Sequence, residues 1–308
     1  MRIVFMGTPD IAVGTLEELI DAKHEIVGVF SQPDKPVGRK QVLTKPPVKI
    51  CAENNGIPVF QPQSLRTDEA YNILKKLNPD IIVVVAYGKI LPKNILDLPK
   101  YGCINGHASI LPKYRGASPI QWCIVCGEKI SGVTVMQMDE GMDTGDIIET
   151  EICPIEDTDT ADDLYEKLKD MAGSLICKTL VKIENGTATF KKQDEKEATY
   201  APIIKKEMAI IDFNKSAADI HNLVRGFYSW PTAYFMLGDK RLKVYKTEIC
   251  GDTKEKNATV IKSDNELIIA CGNNTSIKLL EVQLEGSKRM RAEQLLMGKK
   301  IAVGTVLN

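Results

Sequence analysis

Short apolar segments alternate with amphipathic segments over residues 1–200. Six segments rich in apolar and β-branched residues are predicted strands: 2–7, 25–31, 57–60, 81–86, 102–107 and 131–138. Between them, residues 11–22 and 68–77 have the apolar period of helices. Apolar strands that are separated by helices are typical of a parallel sheet covered on both faces. The pattern predicts a doubly wound, mostly parallel α/β domain.

The remainder of the chain has a different pattern. A long helix is predicted over 161–183, and Gly186 is a natural stop signal after it. A charged, weakly periodic stretch then leads to a second predicted helix over 217–225 and to alternating segments joined by turn residues. Such a meander favours a small β-barrel of the OB type. The expected organisation is a first domain over 1–187, a linker over 188–207 and a smaller second domain over 208–308.

Composition limits the classes of protein to which the chain can belong. Of the 308 residues, 44% are hydrophobic and 26% are charged, which is ordinary for a globular protein and argues against disorder. No uninterrupted apolar run approaches the length of a membrane span, and the start "MRIVFMGTPD" turns polar too early for a secretory signal. A cytoplasmic protein is therefore expected.

The net charge of −1 hides an asymmetry. Residues 201–308 contain 17 Lys and Arg against 12 Asp and Glu, whereas residues 1–200 contain 23 against 29. A basic region behind an acidic body is consistent with a polyanionic partner and equally with solvated charge.

The eight cysteines have irregular spacings, which predicts reduced thiols rather than a disulfide framework. Cys123 and Cys126 form a C-x-x-C within the apolar stretch "SPIQWCIVCGEK". No second Cys or His pair stands at a spacing suitable for zinc. Packing in an apolar helix is favoured over redox or metal chemistry.

Asn105 and His107 stand where a predicted apolar strand ends. Side chains two residues apart in a strand project to the same face, so an amide and an imidazole can converge on one substrate atom. The chain has two other histidines: His24, after a predicted helix, and His221, within a helical pattern. Capping or packing is expected for both.

An acidic segment, "MDEGMDTGD" over 138–146, follows another predicted strand. It does not fit a calcium loop, because Gly141 occupies a ligand position and the final Glu is missing. A carboxylate that reaches a histidine can instead fix its tautomer and stabilise the imidazolium. Asp143 is the preferred candidate, and Asp139 and Asp146 are its rivals.

An amide, an imidazole and a carboxylate without a nearby Ser or Cys nucleophile favour direct acyl transfer to an amine. The amide and a protonated imidazole would stabilise the oxyanion, and the imidazole or a water held by the carboxylate would move the protons. Motifs for a dinucleotide and for a P-loop nucleotide are absent from the sequence.

The segments "INGHASILPKYRGASPI" and "MDEGMDTGD" resemble the folate-dependent formyltransferase family. The resemblance implies a catalytic set of Asn105, His107 and Asp143. It also implies folate contacts from one loop and from the walls of a pterin pocket, with these residues: Ser109, Ile110, Leu111, Pro112, Ile90 and Leu91. Gly106 departs from the family, which has an apolar residue there, and it is expected to loosen the strand end.

Further segments, including "FMGTPDIAV", "GVFSQPDKPVGRK" and "WPTAY", resemble the family members that act on initiator tRNA. This implies 10-formyltetrahydrofolate as the formyl donor, initiator methionyl-tRNA as the partner and no metal. It also implies a Rossmann-like catalytic domain over 1–187 and an OB-like tRNA-binding domain over 208–308. A monomer is expected.

The excursion over 31–49 carries five cations and one acid. Long insertions in compact domains are usually functional, and cations in such a loop can contact phosphates. The resemblance places the excursion on the tRNA acceptor stem, with Arg39 matching an important Arg of the family. The predicted tRNA-binding residues are Lys35, Arg39 and Lys40.

Two other functions are compatible with parts of the sequence. One is a formyltransferase that acts on a small amine, such as a sugar nucleotide or glycinamide ribonucleotide, although a small substrate needs neither the basic excursion nor a second domain. The other is a non-catalytic RNA-binding protein, which would not require the complete set of Asn, His and Asp.

Overall fold

The computed structural model describes residues 1–38, 40–298 and 301–307. They form two compact units. The first comprises 1–119, 130–153 and 165–201, and the second comprises 120–129, 154–164 and 202–308. The domain bounds expected from the sequence, with a linker over 188–207, remain a prediction.

The first unit is built on a seven-stranded sheet. The strands up to residue 201 are β1 Arg2–Gly7, β2 Glu25–Phe30, β3 Lys35–Val37, β4 Val42–Thr44, β5 Val59–Phe60, β6 Ile81–Val85, β7 Cys103–His107, β8 Arg115–Gly116, β9 Ile130–Gln137, β10 Ile147–Pro154 and β11 Tyr200–Ala201. The order in the sheet is β10-β9-β7-β6-β1-β2-β5. Pairing is parallel from β5 to β7 and antiparallel between β7 and β9. The predicted doubly wound, mostly parallel sheet is confirmed.

The helices up to residue 200 are α1 Ile11–Asp21, α2 Pro47–Asn54, α3 Asp68–Leu77, α4 Lys93–Leu96, α5 Pro119–Val125 and α6 Ala161–Glu184. Helix α3 has the bounds that the sequence predicts. Thr67 accepts a hydrogen bond from the Ala70 amide at its start, and Asn78 ends it in the left-handed conformation. The helix buries Ala70 and Leu74, so its apolar face packs on the sheet core.

Three features of the first unit were not predicted. Strands β3 and β4 form a two-stranded antiparallel hairpin within the basic excursion. Strand β10 extends the sheet beyond β9. Strands β8 and β11 form a parallel pair only two residues long. Strands β3, β4, β8 and β11 are only two or three residues long, too short for the apolar alternation that predicts strands.

The second unit contains an antiparallel sheet of the six strands β12 Tyr234–Leu237, β13 Lys240–Cys250, β14 Val260–Lys262, β15 Leu267–Ala270, β16 Ser276–Leu284 and β17 Met290–Arg291. In the described part of this unit, the α-helices beyond residue 202 are α7 Ala217–Gly226 and α8 Ala292–Gly298, and a short 3₁₀ helix covers Lys206–Ala209. Strand β16 pairs with β13 along one edge and with β15 and β17 along the other. The curled sheet has the OB-like architecture that the meander predicts.

All eight cysteines are free, so the prediction of reduced thiols is confirmed. Cys123 is buried, as expected of a packing residue in α5. The same prediction is wrong for Cys126, which is exposed because α5 ends at Val125, before this position.

Among the residues that the structure describes, no helix combines the length and the apolar character needed to cross a bilayer.

Candidate active site

Strand β7 presents the two polar residues of the predicted site. Asn105 is paired with Met136 of β9, and His107 is paired with Thr134 two positions along. Because side chains alternate across a strand, Asn105 and His107 lie on the same face. The amide of Asn105 is half-buried and makes no side-chain hydrogen bond to any residue in the described ranges. It is therefore free to donate to a ligand.

The His107 ring is fixed by its surroundings. Its side chain is 7% exposed, and its Nε2 lies 3.0 Å from the carbonyl oxygen of Tyr114. A carbonyl oxygen only accepts, so Nε2 is the nitrogen that carries the proton in this hydrogen bond. The other nitrogen, Nδ1, lies 3.7 Å from Oδ2 of Asp143. This separation suits an ion pair and is slightly longer than a hydrogen bond.

Asp143 lies in the loop between β9 and β10, and its carboxylate is anchored. The Gly116 amide donates to Oδ2 at 2.8 Å, so one oxygen both receives this bond and faces His107. Gly116 has φ +117°, and a Cβ there would lie 2.8 Å from the carbonyl oxygen of Ala201. Asp143 itself has φ +56°, a left-handed conformation that costs energy for a residue with a side chain.

The two rival carboxylates have other places in the same loop. Asp139 accepts from the Gly141 amide at 2.9 Å and from the Thr144 hydroxyl at 2.6 Å, so it closes a turn. Asp146 is half-buried beside the first residue of β10. Of the three candidates, Asp143 is the one that lies against His107.

Glycines let this region pack closely. A Cβ at Gly106 would lie 2.9 Å from Cδ1 of Ile176 in α6. The atom that approaches Gly106 is the end of an isoleucine side chain, and the expectation that this glycine loosens the strand end stays a prediction. A Cβ at Gly145 would lie 1.7 Å from the carbonyl oxygen of Gln137, so the loop that carries Asp143 also depends on a glycine.

Hydrogen bonds of Ser109 hold the predicted folate-associated loop over 109–112 in place. The buried Ser109 hydroxyl donates to the Lys113 carbonyl at 2.7 Å, and the Ser109 carbonyl accepts from Thr134 at 2.7 Å. Leu111 is buried, whereas Ile110 and Pro112 are partly exposed. The loop can present those two residues to a ligand, while Ser109 maintains its shape.

The predicted pterin segment follows β6. Ile90 is 70% exposed, whereas Leu91 is packed in the core. The carbonyl of Tyr87 accepts from the Thr8 hydroxyl at 3.0 Å and from Gln32 Nε2 at 3.1 Å, which fixes the start of the segment. Burial raises the pKa of the Tyr87 hydroxyl to about 12, so it stays protonated. Of the two predicted pocket residues, Ile90 is the one exposed to solvent.

A buried guanidinium is connected to the Asp143 loop. Arg115 is fully buried and donates from Nε and Nη2 to Oε1 of Gln193, at 3.1 and 2.9 Å. Gln193 in turn donates from Nε2 to the carbonyls of Asp143 and Gly145, at 2.8 and 2.7 Å. Glu195 accepts from the same guanidinium at 2.9 and 2.8 Å. This bond raises the pKa of Arg115 and lowers that of Glu195. Sequence patterns gave no indication of Gln193, because it lies in a polar stretch without periodicity.

The basic hairpin presents its predicted cations to solvent. Lys35 and Lys40 are exposed, and neither forms an ion pair with any residue that the structure describes. Arg39 lies outside the described residues. Two unpaired cations on an exposed hairpin are suited to contact with phosphate groups.

The other two cations of the excursion have structural partners. Lys45 pairs with Glu53 at 2.7 Å, and Lys49 pairs with Asp34 at 2.9 Å. Lys49 also donates to Gln61 at 2.8 Å, so it anchors the base of the hairpin.

The other two histidines make structural contacts. The backbone amide of His24 donates to the Leu19 carbonyl after α1. His221 Nδ1 lies 2.8 Å from the Thr247 hydroxyl within the second unit. Burial lowers the pKa of both rings, as expected of packed histidines.

Comparison with known proteins gives consistent matches. Residues 1–180 match a family model described as formyl transferase, and residues 203–300 match one described as formyl transferase, C-terminal domain. Methionyl-tRNA formyltransferases of Caldanaerobacter subterraneus subsp. tengcongensis and of Clostridioides difficile are each 47% identical to the chain over 309 residues, covering all of both sequences.

Solved structures agree in fold. The sugar 3N-formyl transferase WlaRD, in the presence of dTDP and 5-N-formyl-THF, is 24% identical with a TM-score of 0.70, covering 94% of this chain and 99% of its own. An N-formyltransferase of Helicobacter canadensis, in complex with folinic acid and dTDP-3-aminofucose, is 26% identical with a TM-score of 0.70, covering 91% and 98%.

Proposed function

The chain belongs to the formyl transferase family, and we propose that it transfers the formyl group of 10-formyltetrahydrofolate to the amino group of methionine on initiator methionyl-tRNA. The acceptor is supported by full-length similarity to methionyl-tRNA formyltransferases, at 43–47% identity across both units. The observation that carries the chemistry is the pairing of His107 with Asp143. His107 lies on the same face of β7 as the Asn105 amide, which has no hydrogen-bond partner among the described residues.

The proposed reaction is a direct displacement. The methionine nitrogen attacks the formyl carbon, the bond from that carbon to N10 of the folate breaks, and one proton passes from the amine to N10. No enzyme nucleophile is needed. The tetrahedral intermediate carries negative charge on the formyl oxygen, and the free Asn105 N–H groups are suited to stabilise it.

His107 is proposed to move the proton through Nδ1. Its Nε2 is occupied by the Tyr114 carbonyl, so Nδ1 is the nitrogen that can exchange protons with substrate. When Nδ1 is protonated, the imidazolium faces Asp143 at 3.7 Å and is stabilised by the carboxylate. Asp143 therefore acts as the orienting and charge-balancing member of the set.

The proposed substrate contacts follow the exposure of each residue. Lys35 and Lys40 would contact phosphates of the tRNA, together with Arg39. Ile90 and the loop over 109–112 would contact the folate. The protein would work as a monomer. It would act in the cytoplasm, where formylmethionyl-tRNA is needed for translation initiation.

The test is a competition between acceptors. With 10-formyltetrahydrofolate as donor, the protein is offered charged initiator tRNA, free methionine and a dTDP-linked amino sugar. We expect kcat/KM to be highest for the charged tRNA by several orders of magnitude, because a small amine forms none of the hairpin contacts. Faster formylation of the amino sugar would overturn the proposed acceptor and favour the small-amine alternative.

A further inference from the structure

The loop that carries Asp143 is held in part by a residue that is distant in sequence. Its backbone turns through a left-handed residue at Asp143, a conformation that is maintained only when surrounding contacts impose it. Two carbonyls of the loop, at Asp143 and Gly145, accept from one side-chain nitrogen, Nε2 of Gln193. Gln193 is 50 residues away along the chain from Asp143, so this contact exists only in the folded protein.

The orientation of the Gln193 amide follows from the chemistry of its partners. A guanidinium can only donate, so the oxygen of the amide must face Arg115. Backbone carbonyls can only accept, so the nitrogen must face Asp143 and Gly145. Reversing the amide would break all four hydrogen bonds at once, and its orientation is therefore fixed.

Arg115 is suited to hold this amide. Its guanidinium is fully buried, and Glu195 accepts from Nη1 and Nη2 at 2.9 and 2.8 Å and balances its charge. The next residue, Gly116, donates its backbone amide to Oδ2 of Asp143. The Arg115–Gly116 segment therefore contacts Asp143 twice, directly at the carboxylate and through Gln193 at the backbone.

We propose that Gln193, oriented by Arg115, is a positioning residue that fixes the Asp143 carboxylate against Nδ1 of His107. The proposal rests on the proposed function, in which Asp143 assists proton transfer by His107. Gln193 touches no substrate in this scheme. It acts by holding the backbone from which the Asp143 side chain extends.

The variant Gln193→Glu separates positioning from folding. A carboxylate at 193 still accepts from Arg115, so the buried guanidinium keeps its partner. It has no N–H for the two carbonyls, and its oxygens would repel theirs. We expect the protein to fold with a somewhat lower urea midpoint, because two hydrogen bonds are lost, and we expect KM for the folate and KM for the tRNA each to change by less than about twofold. We expect kcat to fall about 10- to 100-fold, the size that misplacement of a catalytic group typically causes.

A double-mutant cycle with Asp143→Asn tests whether Gln193 acts through Asp143. If it does, adding Gln193→Glu to Asp143→Asn lowers kcat by less than about twofold, because the group being positioned is already absent. Asn55→Asp is the matched control. It makes the same amide-to-carboxylate change just after α2, where the Asn55 side chain donates to the backbone carbonyl of Cys51. This variant should leave kcat unchanged.

Three outcomes would overturn the inference. An unchanged kcat in Gln193→Glu, or an equal loss in both backgrounds, would mean that Gln193 does not work through Asp143 while leaving the proposed function standing. An unchanged kcat in Asp143→Asn alone would remove Asp143 from the mechanism, and the inference would fall with it. If Gln193→Glu does not fold, Gln193→Met, which fills the space without donors, is put through the same cycle.

Discussion

The Asp143 loop and the basic hairpin, residues 35–44, both extend from strands of one sheet, yet they are built in opposite ways. The loop is fixed by a buried arginine, a bridging glutamine and glycines in sites too tight for a side chain. The hairpin is exposed along both strands, and two of its lysines lack ion-pair partners among the described residues. Proton transfer needs atoms held to a fraction of an ångström, whereas contact with a large polyanion needs exposed charge.

The largest effect is expected at the strand face beside the fixed loop. In Asn105→Ala, kcat should fall about 100- to 1,000-fold, because one oxyanion donor is removed. KM for the folate and KM for the tRNA should change little. Steady-state kinetics with charged initiator tRNA measures this. Asn54→Ala, at the exposed end of α2, is the control. Unchanged turnover in Asn105→Ala would remove the oxyanion role.

A pair of glycine substitutions tests the contrast in packing directly. In Gly145→Ala the new methyl group would meet the Gln137 carbonyl, so the loop must shift, and kcat should fall at least about tenfold. In Gly38→Ala, at φ +72° with open space around it, the cost should be about 1–2 kcal/mol of backbone strain, with kcat unchanged. Kinetics and urea unfolding of both variants provide the measurement. Equal effects would contradict the contrast.

The hairpin should control affinity and leave the chemical step unaffected. In Lys35→Ala and Lys40→Ala, KM for tRNA should rise several-fold at low salt, with kcat and KM for the folate unchanged. The slope of log(kcat/KM) against log salt should become shallower by about 1 for each phosphate group that the variant no longer neutralises. Lys75→Ala, on the exposed surface of α3, is the control. A fall in kcat would show that the hairpin also shapes the site.

The smallest effect concerns the exposed partner of Arg115. The hydrogen bond from Arg115 holds the pKa of Glu195 below its usual 4.5, so the ionised carboxylate stabilises the fold above that pH. This contribution is lost as the pH falls through the folded-state pKa. The urea midpoint of the parent should therefore exceed that of Glu195→Gln slightly at pH 7, and the difference should disappear in acid. A difference that grew in acid would contradict the assignment.

Much of the fold could be predicted because burial determines the sequence pattern. Strand β6 is apolar throughout since both of its faces are covered, and α3 begins and ends at its capping residues. Asn105 and His107 could be paired from their spacing alone. The proximity of Asp143 to His107 could be anticipated from what an imidazole requires and from the family resemblance, since no periodicity connects positions 107 and 143.

The residues that were missed make contacts with no local signature. Gln193 lies in a polar segment, and its role depends on a guanidinium 78 residues away along the chain. The close approach of Ile176 to Gly106 likewise joins residues that are far apart along the chain. Side-chain contacts of this kind are set by the folded chain and leave no period in the sequence.

In the proposed mechanism, the carbonyl of Tyr114 leaves one ring nitrogen of His107 for proton exchange with the substrates. It occupies one nitrogen of His107, so a proton that enters through the other nitrogen must leave through it as well. The acceptor amine and the departing folate nitrogen must then both be within reach of that single atom. Because the proposed transfer is direct and forms no acyl-enzyme, donor and acceptor have to be bound together before either product departs, and initial-rate plots should show intersecting lines.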